Sequence, residues 1–150
     1  GGGVVGTNAA RMAMGFGADV TVLDNNLSRL QQLDLQFGPR LKTLYAHAET
    51  IDTVVQCADM IIGAVLVPGA TAPKIIEQHH LATMRTGTVL VDVSIDQGGC
   101  FASSHPTTHE QPTYIEQGIV HYCVANMPGA VARTSTQALA IDSKTGGRRY

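Results

Sequence analysis

Short β-branched apolar runs alternate along this chain with segments whose apolar residues recur at helical spacing. Val4 to Phe16 places Val5, Ala9, Met12 and Ala13 on one face and stops at Gly15 and Gly17, which predicts a helix. ADVTVLD, Ala18 to Asp24, has the character of a strand buried on both faces. A second helix is expected over Asn26 to Gln36, with Leu27, Leu30 and Leu33 on one side and Gly38-Pro39 as its stop, and LKTLYA, Leu41 to Ala46, follows as a strand. The alternation continues with a short helix over Thr50 to Cys57, a strand over Asp59 to Val65 and a helix near Pro73 to Gln78, since proline suits a first helical turn. Strands over Gly87 to Ser94 and Val120 to Asn126 and a helix from Ala130 to about Ala140 complete it. This order predicts an α/β fold in which a parallel sheet carries helices on both faces.

Composition narrows the class. The 150 residues, 44% of them apolar, suit one domain, expected over 1–139; the tail 140–150, ending DSKTGGRRY, differs in composition and is expected to be disordered or non-native. Ten basic against twelve acidic residues, with no Lys/Arg block, argue against a nucleic-acid partner. MIIGAVLVPGA, Met60 to Ala70, is too short to cross a bilayer and is broken by Pro68 and Gly69, so no membrane association is expected. No secretory leader is visible, and Cys57, Cys100 and Cys123 lack CxxC spacing, which fits reduced thiols and a cytoplasmic setting.

The chemistry begins at the first residue. Gly1, Gly3 and Gly6 satisfy G-x-G-x-x-G, in which successive glycines allow a tight turn, close backbone approach to a pyrophosphate and close helix packing. Val4 and Val5 would open the helix whose amides face the anion. Asp24, eighteen residues past Gly6, ends a predicted strand where a carboxylate accepts from a ribose diol and repels a 2'-phosphate; the alternative is a turn or capping residue before Asn25 and Asn26. Together these features favour NAD over NADP, with Arg29 nearby as a complication. In such a fold the later strand ends share one edge: Val65-Leu66, Val93-Ser94-Ile95-Asp96, and Val124-Ala125-Asn126-Met127. Asp96 could hold an ammonium or imine or orient a proton donor, or simply cap a turn into Gly98-Gly99. His79, His80, His105, His109 and His121 lack metal-ligand spacing and are expected to be structural or surface residues, and no metal is expected. Cys100 and Cys123 suit packing better than nucleophilic roles.

Taken together, GGGVVGTNAARMA, TVLD, IIGAVLVPGATAPK, VDVSIDQGGCF, HPTTH and HYCVANMPGAVARTST resemble the NAD-binding domain of the alanine dehydrogenase family, from Gly1 to about Leu139. The resemblance implies a Rossmann-type doubly wound sheet and hydride transfer between NAD and the alpha carbon of L-alanine, giving pyruvate and ammonia. It implies NAD contacts at Gly3 to Val5, Asp24, Arg29, Val65, Leu66, Val93 to Asp96 and Val124 to Met127, with Asp96 in the family's catalytic aspartate position. It also implies a homo-oligomer, commonly a hexamer, for the full-length protein.

Departures from the pattern carry their own expectations. His105 stands where the family usually has arginine, so a fixed positive charge is replaced by an imidazole. No residue matches the family's catalytic histidine or its substrate-binding arginine and lysine, which belong to a separate substrate domain. The glycine fingerprint has no strand ahead of it, so the fold is expected to lack its first strand, with unpaired edges and poor stability as the cost. The related nicotinamide nucleotide transhydrogenases have an amide-type residue where Asp96 stands; DQGG therefore favours the amino-acid dehydrogenase. The other hypothesis is a module that binds NAD(H) without turnover.

Overall fold

In the computed structural model residues 1–65, 69 and 71–144 are described. The chain runs α1 (Val4–Gly15), β1 (Val20–Asp24), α2 (Leu27–Phe37), β2 (Leu41–Tyr45), α3 (Ala48–Cys57), β3 (Met60–Gly63), α4 (Gln78–Leu81), β4 (Val89–Asp92), β5 (Thr113–Glu116), β6 (Ile119–Tyr122) and α5 (Ala132–Lys144). Three 3-10 turns, Gly38–Arg40, Ile95–Gln97 and Met127–Val131, sit between them.

β1 and β2 pair in parallel, Val20 against Leu41 through Asp24 against Tyr45. A second sheet has the order β3-β4-β6-β5, parallel except for the β5–β6 hairpin. These are the two arms of a Rossmann-type doubly wound sheet, whose usual order places one further strand between them. Among the described residues no strand joins β1 to β3. The glycine segment lies there instead: the Gly2 amide donates to Asp24 Oδ2 at 2.7 Å, while a Cβ on Gly1 would fall 2.7 Å from the Ala64 carbonyl oxygen just beyond β3.

Each arm has its own core. Val22, Leu33, Phe37 and Leu41 pack with Ala10 of α1 in the first. In the second, Val55, Leu81, Met84, Leu90, Phe101 and Ile119 form a larger cluster. The buried face of α1 is Thr7 and Ala10, not the expected Val5 and Met12, which are 48% and 60% exposed. Polar contacts set that rotation: Thr7 Oγ1 donates to the Gly2 carbonyl at 2.9 Å and accepts from Arg29 at 2.7 Å.

Three further expectations differ. The helix expected from Pro73 is not formed. Ile75 donates to the Cys100 carbonyl at 2.7 Å and Ile76 bridges to Phe101, so the segment runs alongside the loop after β4. The helix starts only at Gln78, after a Glu77 cap. The hairpin strand β5 was not legible as a strand, and α5 continues to Lys144, past the Ala140 at which a disordered tail was expected. The last six positions, 145–150, lie outside the described residues.

Candidate functional site

The carboxyl ends of β1, β3, β4 and β6 and the amino end of α1 bring the candidate residues to one edge. There Gly3 caps α1 without any side-chain cap, so the first-turn amides have no side-chain acceptor. A Cβ on Gly3 would meet nothing within 4 Å, leaving the space above those amides open, whereas one on Gly6 would lie 1.8 Å from the Gly1 carbonyl oxygen. Gly6 is thus fixed by close packing and Gly3 faces free space, the division of labour a pyrophosphate site requires. Val4, beside them, is 65% exposed.

Asp24 is half-buried and uses both carboxylate oxygens on backbone: Oδ2 accepts from Gly2, and Oδ1 accepts from Asn26 at 2.8 Å. The cap of α2 is Asn26, whose side chain accepts from Arg29 N at 3.1 Å, not Asp24. A carboxylate has about four lone-pair directions, so Asp24 retains acceptor capacity for a diol. Arg29 clamps the glycine turn, donating from Nε to the Gly2 carbonyl at 2.6 Å and from its terminal nitrogens to Thr7 and Gln32.

Past β4 the chain turns around Asp92, which is fully buried. Its Oδ1 accepts from Ser94 N at 3.0 Å; its Oδ2 accepts from Cys100 N at 2.8 Å, Phe101 N at 3.2 Å and Ser104 Oγ at 2.6 Å. A buried carboxylate with this many donors is satisfied and holds both ends of the intervening loop. Ser94 Oγ donates to the Val65 carbonyl at 2.7 Å, tying the ends of β4 and β3 together, and Lys74 Nζ donates to the carbonyls of Gly98 and Gly99 at 2.6 and 2.8 Å. Burial, reinforced by the Asp92 charge, pushes the Cys100 thiol up to about 12, which leaves it protonated and inert near neutral pH.

This loop carries Asp96 outward. Its carboxylate is exposed and accepts from the Asn126 amide at 3.3–3.4 Å. Asn126 has φ of 54°, the left-handed region that asparagine tolerates better than most residues. The Asn126 carbonyl in turn accepts from His109 Nε2 at 3.2 Å. Asp96, Gln97, Gly69 and Thr71 line an open cavity of about 560 Å³. Val93 and Ile95 precede Asp96 in the same turn, and Val124, Ala125 and Met127 flank Asn126, so these expected residues meet at the strand ends. Val124 is buried, however, and offers only backbone. Leu66 lies outside the described residues.

Sequence reasoning missed Asp92, Lys74, Gln97 and His109. Their only signal was adjacency to expected motifs; the partners that define them lie up to 25 positions away. Of the histidines expected to be structural or surface residues, His80 is buried, at 5% exposure. Among the described residues one set of side-chain nitrogen and oxygen atoms, from Asp52, His79 and His80, lies within 4.8 Å of one another. His80 Nδ1 accepts from Glu77 N at 2.8 Å, so Nε2 carries the proton and donates to Asp52 at 2.7 Å, leaving no free lone pair for a metal. His105 stacks on Tyr114 with ring centroids 3.7 Å apart, and Tyr114 stacks on the buried His121.

Residues 1–144 match the family model for the alanine dehydrogenase/PNT C-terminal domain. The chain is 63% identical over 139 residues to an alanine dehydrogenase of Halomonas elongata, covering 93% of this chain and 38% of that protein. It is 54% identical over 140 residues to alanine dehydrogenase 2 of Staphylococcus aureus, with the same two shares, 93% and 38%. A solved L-alanine dehydrogenase superposes with a TM-score of 0.89 at 55% identity, over 93% of this chain and 38% of that one. A transhydrogenase from Sinorhizobium meliloti gives 0.81 at 24% identity over 91% and 39%, a likeness of fold alone. The chain therefore spans about two fifths of the relatives it matches.

Proposed function

Because this chain belongs to the alanine dehydrogenase/PNT C-terminal domain family, we propose that it is the NAD-binding part of an L-alanine dehydrogenase. The observation that carries this is the convergence of an uncapped α1 amino terminus, the Asp24 carboxylate and the Asp96–Asn126 pair on one sheet edge. The overall reaction is L-alanine, NAD and water to pyruvate, ammonium, NADH and a proton. NAD, when bound, supplies the hydride acceptor.

The chain's own residues bind and orient. The first-turn amides of α1 and the open space at Gly3 receive the pyrophosphate, and Asp24 accepts from the adenosine ribose hydroxyls and repels a 2'-phosphate. Arg29 holds the glycine turn in shape through Gly2 and Thr7. Val65, Ser94, Ala125 and Asn126 border the nicotinamide end. Asp96, exposed at the same edge and accepting from the Asn126 amide, would supply a carboxylate that stabilises an ammonium or imine group or orients a proton donor. In this proposal a further domain supplies the remaining substrate contacts and excludes water, and the full-length protein is a cytoplasmic homo-oligomer. No described helix is long and apolar enough to cross a membrane.

The test is a titration of the purified chain with NADH, followed by an alanine-dependent assay with and without a complementing substrate domain. Saturable NADH binding, with turnover only on complementation, is the expected result. Binding that never becomes turnover favours a non-catalytic module; no binding by the folded chain overturns the proposal.

A further inference from the structure

We infer that His109 is a positioning residue for Asp96, acting through the backbone of Asn126 that lies between them. The inference rests on the role proposed above for Asp96 and adds a side chain from a different segment. Thr107 forms an isolated parallel bridge with Val124: its amide donates to the Cys123 carbonyl at 2.9 Å, and its carbonyl accepts from Ala125 at 3.1 Å. That register brings position 109 level with position 126. The turn carrying His109 is itself tied, since Thr107 Oγ1 donates to the Pro112 carbonyl at 2.9 Å and Thr108 Oγ1 accepts from Gln111 N at 3.2 Å. Gly129 leaves room for the ring. A Cβ there would lie 3.1 Å from Asn126 Nδ2 and 3.4 Å from His109 Nε2, crowding both.

A carbonyl oxygen can only accept, so His109 Nε2 carries the proton in its contact with Asn126. The Asn126 carbonyl thus takes two donors, Gly129 N at 2.9 Å and His109 Nε2 at 3.2 Å. Asn126 has φ of 54° and ψ of 52°, a narrow well that a residue other than glycine keeps when its surroundings hold it there. In that conformation its amide points at Asp96, 3.3 and 3.4 Å from the two carboxylate oxygens. Among the described residues no other hydrogen-bond donor reaches the Asp96 carboxylate. The contact is long and shared, so it directs an exposed side chain only as firmly as Asn126 is held. The N–H and C=O of one residue belong to different peptide units, which makes the coupling conformational: His109 fixes one end of Asn126 and Asp96 is aimed by the other.

The test reads the Asp96 side chain directly, from the NMR couplings between its α and β protons in the 150-residue chain and its variants. The parent is expected to hold one χ1 rotamer. In His109→Ala the preference for that rotamer should fall about fivefold, the worth of one ordinary hydrogen bond, and the Asn126 amide peak should move. His109→Gln, which carries an N–H donor at a similar reach, should restore most of it. Thr108→Ala loosens the same turn without touching Asn126 and should leave Asp96 as it is. If His109→Ala does not fold, His109→Asn, with a donor too short to reach the Asn126 carbonyl, takes its place. An unchanged Asp96 rotamer without the His109 donor, an averaged one in the parent, or equal averaging in Thr108→Ala overturns the inference. In the alanine assay complemented with a substrate domain, His109→Ala should lower kcat about fivefold and change KM for NAD less than about twofold, with His109→Gln recovering the rate. Averaging of Asp96 with kcat unchanged overturns the catalytic reading of Asp96 and, with it, the purpose assigned to His109. A fixed Asp96 in folded His109→Ala overturns the inference alone and leaves that reading standing.

Discussion

The two arms of the sheet are built on different principles. The β1–β2 arm has a small core, and α1, which covers it, leaves Val4, Val5 and Met12 at 65%, 48% and 60% exposure. What fixes its site is a handful of hydrogen bonds from Arg29 and Asp24 to one glycine turn. The arm from β3 to β6 has the larger core, and its site loop is knotted around one buried carboxylate, Asp92. The first arm offers backbone to a ligand and can adjust; the second presents side chains and is held stiff. On the proposed function, the first arm would grip a phosphate chain and the second would aim the Asp96 carboxylate.

The sharpest way to break this contrast is Asp92→Ala. It leaves the amides of Ser94, Cys100 and Phe101 and the Ser104 hydroxyl without their acceptor. The expected cost is about 4 kcal/mol, from several buried donors lost together. Urea unfolding should show it, and hydrogen exchange should place the loss in β4 and β6. Leu33→Ala, at a position with 0% exposure, removes the centre of the smaller core and should cost about 3 kcal/mol. Here exchange protection should fall in β1 and β2 while β4 and β6 keep theirs; equal loss in both arms would show that they unfold as one unit.

Binding comes next in size. Arg29→Ala is expected to weaken NADH binding about tenfold by loosening the turn, with Arg29→Lys failing to restore it, because one ammonium cannot reach Gly2, Thr7 and Gln32 together. Asp24→Ser should shift relative affinity toward NADPH by about tenfold, read as a ratio of dissociation constants. The smallest effect is chemical. At pH 8 iodoacetamide should alkylate Cys57, which is exposed, and spare Cys100 and Cys123, whose burial raises their pKa; denaturant should expose all three. The same shift sets a sign for stability. The Cys100 thiol ionises near 9 when unfolded and near 12 when folded, so its contribution is intact below 9 and is lost as pH rises from there toward 12.

Much of this was legible from the order of residues, for identifiable reasons. VTVLD and VLVD are β-branched runs that propensity and burial push the same way, and the glycine turn, Asp24 and Asp96 lie where strand ends must converge. The hairpin was hidden because its turn is Gln117-Gly118, both at positive φ, 51° and 79°. Such turns are normally signalled by Asn-Gly or Asp-Gly, and glutamine gives no warning. The helix expected at Pro73 lost to tertiary contacts with Cys100 and Phe101 that no local pattern records. Asp92, Lys74 and Gln97 stayed invisible for the same reason. Their meaning lies in what folds back onto them.

The left-handed conformation of Asn126 also bears on how the sequence can drift. Because one peptide unit points its N–H at Asp96 and the next points its C=O at His109, the shape of the backbone rather than the amide side chain meets both neighbours. A saturation library should therefore yield two distinct tolerance profiles. Position 126 should accept Asn, Asp and Gly and reject β-branched residues in any screen for folding. Position 96 should be permissive for folding and narrow only under selection for turnover. The pair would separate, within one hydrogen bond, what the chain's geometry demands from what its chemistry demands.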